Sequence, residues 1–233
     1  MQGLKETAPA PEAAGNEGIG QQQQRYTERF AFPYLVRKEI DLVSLVGSCF
    51  SRIRIVPGKL ARFDANGNPA TPFQATMLFR ELVNVANQST GWERILPWPI
   101  RRSPGDKPGD KFVTAGTAVS IGFTPIGFEP WELMSMPERL IACAGLADGY
   151  RIHQCTGEPV ACAVGENNLP RIVRSLRMMN PSVVVAVDND CAGRDAGQAS
   201  GCRWTCPEGV KDWSDLYQEH GMDAVREAIK EVA

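Results

Sequence analysis

The chain has 233 residues, 43% of them hydrophobic and 22% charged, with a formal net charge of −2. This is enough apolar material for one good-sized domain or two small ones, and it excludes a fibrous or wholly disordered protein. No apolar run approaches the roughly 20 residues needed to cross a bilayer, and the first residues lack a hydrophobic signal core, so a soluble, cytoplasmic protein is expected.

Residues 1–24 are rich in Ala, Pro, Gly, Glu and Gln, including the run Gln21 to Gln24, and read as a disordered tail. From 25 to 136 the pattern is short and strand-like, with strands predicted at 52–56, 59–63, 76–85 and 111–114. Turns are expected at Gly58, at Asp64-Ala-Asn-Gly67 and at Gly91, and a loop between Arg101 and Lys111. This part should form a small antiparallel β-rich domain. Between Arg25 and Lys111 there are 14 Lys/Arg against 8 Asp/Glu, whereas from Glu138 onward there are 10 against 14. A basic first part beside an acidic second part suits a nucleic-acid grip next to a metal site, although ordinary solvated charge gives the same count.

From 137 to 233 the period changes. Short apolar strands are predicted at 140–143, 159–164, 183–187 and 202–205, alternating with helices at 145–154, 170–179 and 192–201, and a closing helix at 223–232. Such alternation means a parallel sheet flanked by helices. In the 170–179 helix, Leu169, Ile172, Val173, Leu176 and Met179 share the core face, with Arg171, Arg174 and Arg177 off it. The 183–187 run is apolar without alternation, as in a strand covered on both faces. It ends in Asp188-Asn-Asp190, at the end of a parallel strand where ligands bind in open α/β sheets. Residues i and i+2 of extended chain point the same way, so Asp188 and Asp190 converge on one hard divalent cation, or else form an Asp-rich turn.

The cysteines add no metal or disulfide framework. There are seven, and Cys143, Cys155, Cys162 and Cys191 fall in or beside segments expected to be buried. Cys202 and Cys206 are four apart, but His153 and His220 offer no second ligand pair at zinc-finger spacing. His153 reads as a packed or helix-surface histidine, and most of the five tryptophans read as core.

The order of these motifs resembles the toprim domain of bacterial-type primases, topoisomerases and some nucleases. A strand ends at Cys143-Ala-Gly145, and two βα units later another ends in Asp188-x-Asp190-x-x-Gly193. The phrases Gly145-Leu-Ala-Asp148, His153-Gln-Cys-Thr-Gly157, Gly165-Glu-Asn-Asn-Leu169 and Lys211-Asp-Trp-Ser-Asp-Leu216 are similar to the toprim primases of plasmids, phages and mobile elements. Upstream, Tyr34-Leu-Val-Arg-Lys38, Gly91-Trp-Glu-Arg-Ile95 and Lys111-Phe-Val-Thr114 resemble the β-rich part that precedes toprim in that group. The resemblance covers about 35–233.

It implies a primase-type nucleotidyltransferase that makes primers on single-stranded DNA from nucleoside triphosphates during replication of a mobile element. It also implies a magnesium (or manganese) cofactor and a helicase or other replication protein as partner. Asp188 and Asp190 would be catalytic metal ligands, with Asp212 and Asp215 as further ligands on a 211–216 loop. Lys211 and Arg194 would contact phosphate.

Where the family carries a glutamate, this chain has Ala144, which can neither transfer a proton nor ligate a metal. Three readings fit: an introduced substitution, favoured by the intact surroundings; a natural member without activity; or a shifted alignment in which Glu166, otherwise an ordinary helix-start acid, takes the place. A catalytically silent binding module and a toprim nuclease are the competing functions.

Overall fold

The computed structural model describes residues 32–63, 68–101, 105–136 and 139–231. The tail at 1–24 and the Asp64 to Gly67 turn lie outside the described residues. Two short helices open the described chain, α1 (Pro33–Arg37) and α2 (Leu42–Ser48), the second capped by the Asp41 carboxylate, which accepts from the Ser44 N–H. No helix was expected there. The apolar residues Tyr34, Leu35, Ile40 and Leu45 are too few to show a period, and they are buried against the main core.

The antiparallel part follows as β1 (Ile53–Phe63), β2 (Pro69–Val83), β3 (Ser89–Ile100) and β4 (Gly109–Val113). Two of the expected turns are not turns. Strand β1 runs straight through Pro57 and Gly58, paired with Thr76 and Ala75 of β2. Among the described strands β1 pairs only with β2, and a proline is tolerated on such an edge. A Cβ at Gly58 would sit 2.0 Å from the Met77 methyl, so the glycine makes room rather than a bend. Gly91 is likewise inside β3, opposite Leu82, and Thr117 fills the space where its side chain would be. The turn lies earlier, where the Asn84 side chain accepts from the Ala86 and Gln88 N–H groups.

A strand absent from the sequence prediction, β5 (Phe123–Ile126), joins the two parts. Val83 of β2 pairs with Phe123, and the other edge of β5 runs antiparallel to β7 (Val160–Ala163). One sheet therefore crosses the described chain in the order β4-β3-β2-β5-β7-β6-β8-β9, where β6 is Leu140–Ala144, β8 Val183–Ala186 and β9 Trp204–Thr205.

Strands β7, β6, β8 and β9 are parallel, as the α/β alternation predicts. Every residue of β6, β7 and β8 is buried, and successive residues feed opposite layers. Ile141, Cys143, Val184 and Ala186 pack on the side of α3 (Leu146–Thr156) and α6 (Trp213–Lys230). Leu140, Ala142, Val183 and Val185 pack on the side of α4 (Leu169–Arg177), whose Leu169, Ile172, Val173 and Leu176 are fully buried. Helix α5 (Cys191–Ser200) follows β8. Cys191 is exposed at its start, contrary to the expected burial, because it sits on the first turn of a helix rather than in the strand.

Helix α6 begins at Trp213, ten residues earlier than predicted, and Gly221 (φ 81°) breaks it midway. The periodic signal for a closing helix covered only its second half. No helix among the described residues is long and apolar enough to cross a membrane.

Candidate active site at the carboxyl edge of the parallel strands

The parallel strands deliver a series of carboxylates to one edge. Ala144 is the last residue of β6, in register with Ala163 of β7, and is buried. Gly145 (φ 85°) then turns the chain into α3, whose first turn carries Asp148, buried beneath the edge. The Asp148 carboxylate accepts from the Ser214 N–H at 3.0 Å, tying α3 to the start of α6.

After β8, Asp190 caps α5 by accepting from the Gly193 N–H at 2.9 Å. Such a cap is worth about 1 kcal/mol and fixes the loop. Gly193 packs so closely beneath it that a Cβ there would lie 2.1 Å from the Asp188 carbonyl oxygen. The Asp188 N–H donates to Glu166 Oε1 at 3.2 Å.

The 211–216 segment is not wholly a loop. Asp212 caps α6 by accepting from the Asp215 N–H at 2.8 Å, and Asp215 stands in the first turn. The Asn189 N–H and side-chain amide bind the Lys211 and Val210 carbonyls, and Trp213 Nε1 donates to the Val187 carbonyl, so this segment is stitched to the Asp188 loop. The Lys211 side chain itself is exposed. Arg194 donates to Asn189 Oδ1 at 2.7 Å on the same surface.

These placements gather Asp148, Glu166, Asp188, Asp190, Asp212 and Asp215 around the edge, and their charges act on one another. Burial first, and then the charges of Asp148, Glu166, Asp212 and Asp190, push the Asp188 carboxyl up to about 7. Burial also raises Glu166 to about 7, against the stabilising N–H of Asp188 and with the added repulsion of Asp190 and Asp148. Asp148 is raised by burial and by Asp212, with Lys111, the Ser214 N–H and Lys38 opposing.

The two lysines come from the first half of the chain. Lys38 Nζ lies 3.3 Å from Asp212 Oδ2 and 3.7 Å from Asp215 Oδ1. Its backbone is clamped by buried Arg151 of α3, which donates to the carbonyls of Lys38 and Glu39. Neither Asp148 nor Lys38 was singled out in the sequence as a site residue, although both belong to phrases that carry the family resemblance.

The donor set suits a hard divalent cation. It is all carboxylate oxygen, and Asp188 Oδ1 and Glu166 Oε2 are buried without a hydrogen-bond partner. An orphaned anionic oxygen of this kind is costly unless something positive meets it. Among the described residues, however, no three acidic, histidine or cysteine side chains stand close enough together to hold a metal ion as they are placed. His153 is packed, its Nδ1 2.8 Å from the Glu158 carbonyl, and takes no part. Of the tryptophans, Trp213 is fully buried, whereas Trp98 and Trp131 are exposed.

No family model matches the sequence. The structure is nonetheless similar to solved primases. It matches the E. coli primase catalytic core with a TM-score of 0.59 at 14% identity, over 91% of this chain and 75% of that one. A DnaG primase catalytic domain bound to single-stranded DNA matches at 0.57 and 13% identity, over 93% and 76%. The primase fragment of the bacteriophage T7 primase-helicase matches at 0.53 and 11% identity, over 79% and 69%. The chain thus has the fold of primase catalytic cores: a toprim-type parallel sheet flanked by helices and preceded by an antiparallel β-rich part.

Proposed function

We propose that this chain is the catalytic part of a DNA primase of the plasmid, phage or mobile-element type, making primers on single-stranded DNA from nucleoside triphosphates in the cytoplasm. The observation that carries this reading is the acidic edge, with its orphaned Asp188 and Glu166 oxygens, set on a primase-core fold. Asp188 and Asp190 would hold magnesium or manganese, with Asp212 and Asp215 as further ligands once the edge draws together. A bound metal would supply positive charge against the developing charge of phosphoryl transfer.

The chain's own residues do the rest. Gly193 and the Asp190 cap hold the Asp188 loop rigid, Arg194 and Lys211 meet phosphates, and Lys38 sets the charge on the Asp212 side. The domains are assigned as a 25–136 template-holding part and a 137–233 toprim part. The solved relatives include a protein bound to single-stranded DNA and one from a primase-helicase, which supports DNA template and a helicase as partners.

Ala144 stands where this chemistry needs a proton carrier, so the chain as it stands is impaired. The test is primer synthesis on single-stranded template, with nucleotides and magnesium, by this chain and by Ala144→Glu. Product from the Ala144→Glu form, about 10²-fold or more above the parent, is expected. No product from either sinks the synthetic role. Ala144 itself favours a second reading, a silent module that only binds DNA or a replication partner, under which Asp188→Ala leaves binding and biological activity intact.

A further inference from the structure

Helix α4 carries a row of arginines that the proposed chemistry does not use. Its inner face, Leu169, Ile172, Val173 and Leu176, is sealed in the core, which fixes the outward direction of Arg171, Arg174 and Arg177, all exposed. The helix contains no acidic residue, so no ion pair along it can neutralise the row. Among the described residues none of the three forms a salt bridge with any other element.

An ordinary solvated face looks different in this same protein. On α6, Arg226 pairs with Asp223 and Lys230 with Glu227, each three residues apart. Three arginines without an ion-pair partner among the described residues, Arg177 reaching only the Gly201 carbonyl at 3.3 Å, therefore stand out in the half of the chain that is richer in acid than in base. Arginine is also the cation whose planar fork matches phosphate oxygens.

The position of the row gives it a direction. Helix α4 starts directly after the 3₁₀ turn Glu166–Asn168, at the acidic edge, and runs down the sheet to its opposite end. The three guanidinium groups span about 9 Å of helix axis. The last of them, Arg177, opens into a cavity of about 540 Å³ at the start of β8, lined also by Arg139, Arg203, Ser182 and Gly201. Arg139 is already bound to Glu158, whereas Arg203 has no ion-pair partner among the described residues, so the described lining carries an excess of positive charge.

We infer that the outer face of α4, with the Arg177–Arg203 cavity at its foot, is a track for the sugar-phosphate backbone of a nucleic-acid strand extending away from the acidic edge. The inference rests on the primase reading for the identity of the strand, and on the arginines without ion-pair partners alone for its phosphate chemistry.

The test compares two charge-matched double variants of the full chain, Arg171→Ala with Arg174→Ala and Arg226→Ala with Lys230→Ala, each first shown to melt like the parent. Binding of a labelled single-stranded oligonucleotide and of a primer–template duplex is measured over a salt series. The slope of log K against log salt should fall in magnitude in the α4 variant by about 1.4 for the single strand, two phosphates at about 0.7 each, or by about 1.8 for the duplex, at about 0.9 each, and stay unchanged in the α6 variant. A loss seen with the single strand assigns the track to template, and a loss confined to the duplex assigns it to the departing product. Equal slopes in parent and α4 variant, equal losses in both variants, or no DNA binding by the parent overturn the inference. Failure of Ala144→Glu to make primers would sink the synthetic reading alone, since this binding comparison needs no catalysis.

Discussion

The antiparallel and parallel halves of the sheet are built on opposite plans. In β6, β7 and β8 every side chain is buried between two helical layers, so chemistry can reach solvent only where the strands end. In β1 and β3 burial is partial. Ile53 is buried while Arg54 and Val56 are exposed, and among the described residues a small cluster of Ala75, Met77 and Leu96 forms a separate core there. One half concentrates its carboxylates at an edge and the other presents a face. They meet at Arg80, fully buried, whose Nε donates to Glu93 at 2.6 Å while its other nitrogens reach Cys162 Sγ at 2.9 Å and the Ala163 carbonyl at 2.9 Å.

Breaking that junction should have the largest effect. Arg80→Met leaves Glu93 buried without its cation, and a loss of about 3–5 kcal/mol is expected in denaturant unfolding. If the two halves unfold in separate transitions in this variant, the contrast between them extends to stability.

At the edge, Asp188→Asn should act through pH. The folded carboxyl titrates at about 7, well above the ordinary unfolded value near 4. Its contribution to stability is present below about pH 4 and is lost as pH rises toward 7. The Asn variant is therefore expected to be more stable than the parent by about 1–2 kcal/mol at pH 8 in metal-free buffer, after solvent screening, and no more stable at pH 4. The same variant should lose most of any magnesium-induced rise in melting temperature, measured at pH 8.

The smallest effect is expected on the open face. Arg54 stacks over Trp92 at 4.9 Å, and Arg54→Ala should cost about 0.5–1 kcal/mol of stability. A weakening of single-stranded DNA binding beyond that modest structural change would mark this face as functional.

The same contrast explains what could be read in the sequence. The strands and helices of the parallel half are strongly periodic or uniformly apolar, and the prediction placed nearly all of them. The antiparallel half was harder because its glycines do two jobs. Gly58 and Gly91 look like turns but leave room for Met77 and Thr117. Strand β5 is four residues long and contains Pro125, which hid it. At the edge, the placement of Asp188 and Asp190 just after β8 was legible from spacing. Asp148 was not, since an acid in the first turn of a helix is ordinarily a partner for the helix dipole. The meeting of Lys38 with Asp212 joins residues 174 positions apart, a separation that no local pattern encodes.

That meeting has a consequence for how the edge would be loaded. Held in place by Arg151, the Lys38 ammonium is a tethered counter-ion, and it already occupies the Asp212 side of a crowded anionic surface. Under the proposed function, a divalent ion arriving there would displace a resident charge rather than fill bare repulsion. Cation uptake at this edge would then be an exchange, and the strength of the tether would set how readily it occurs.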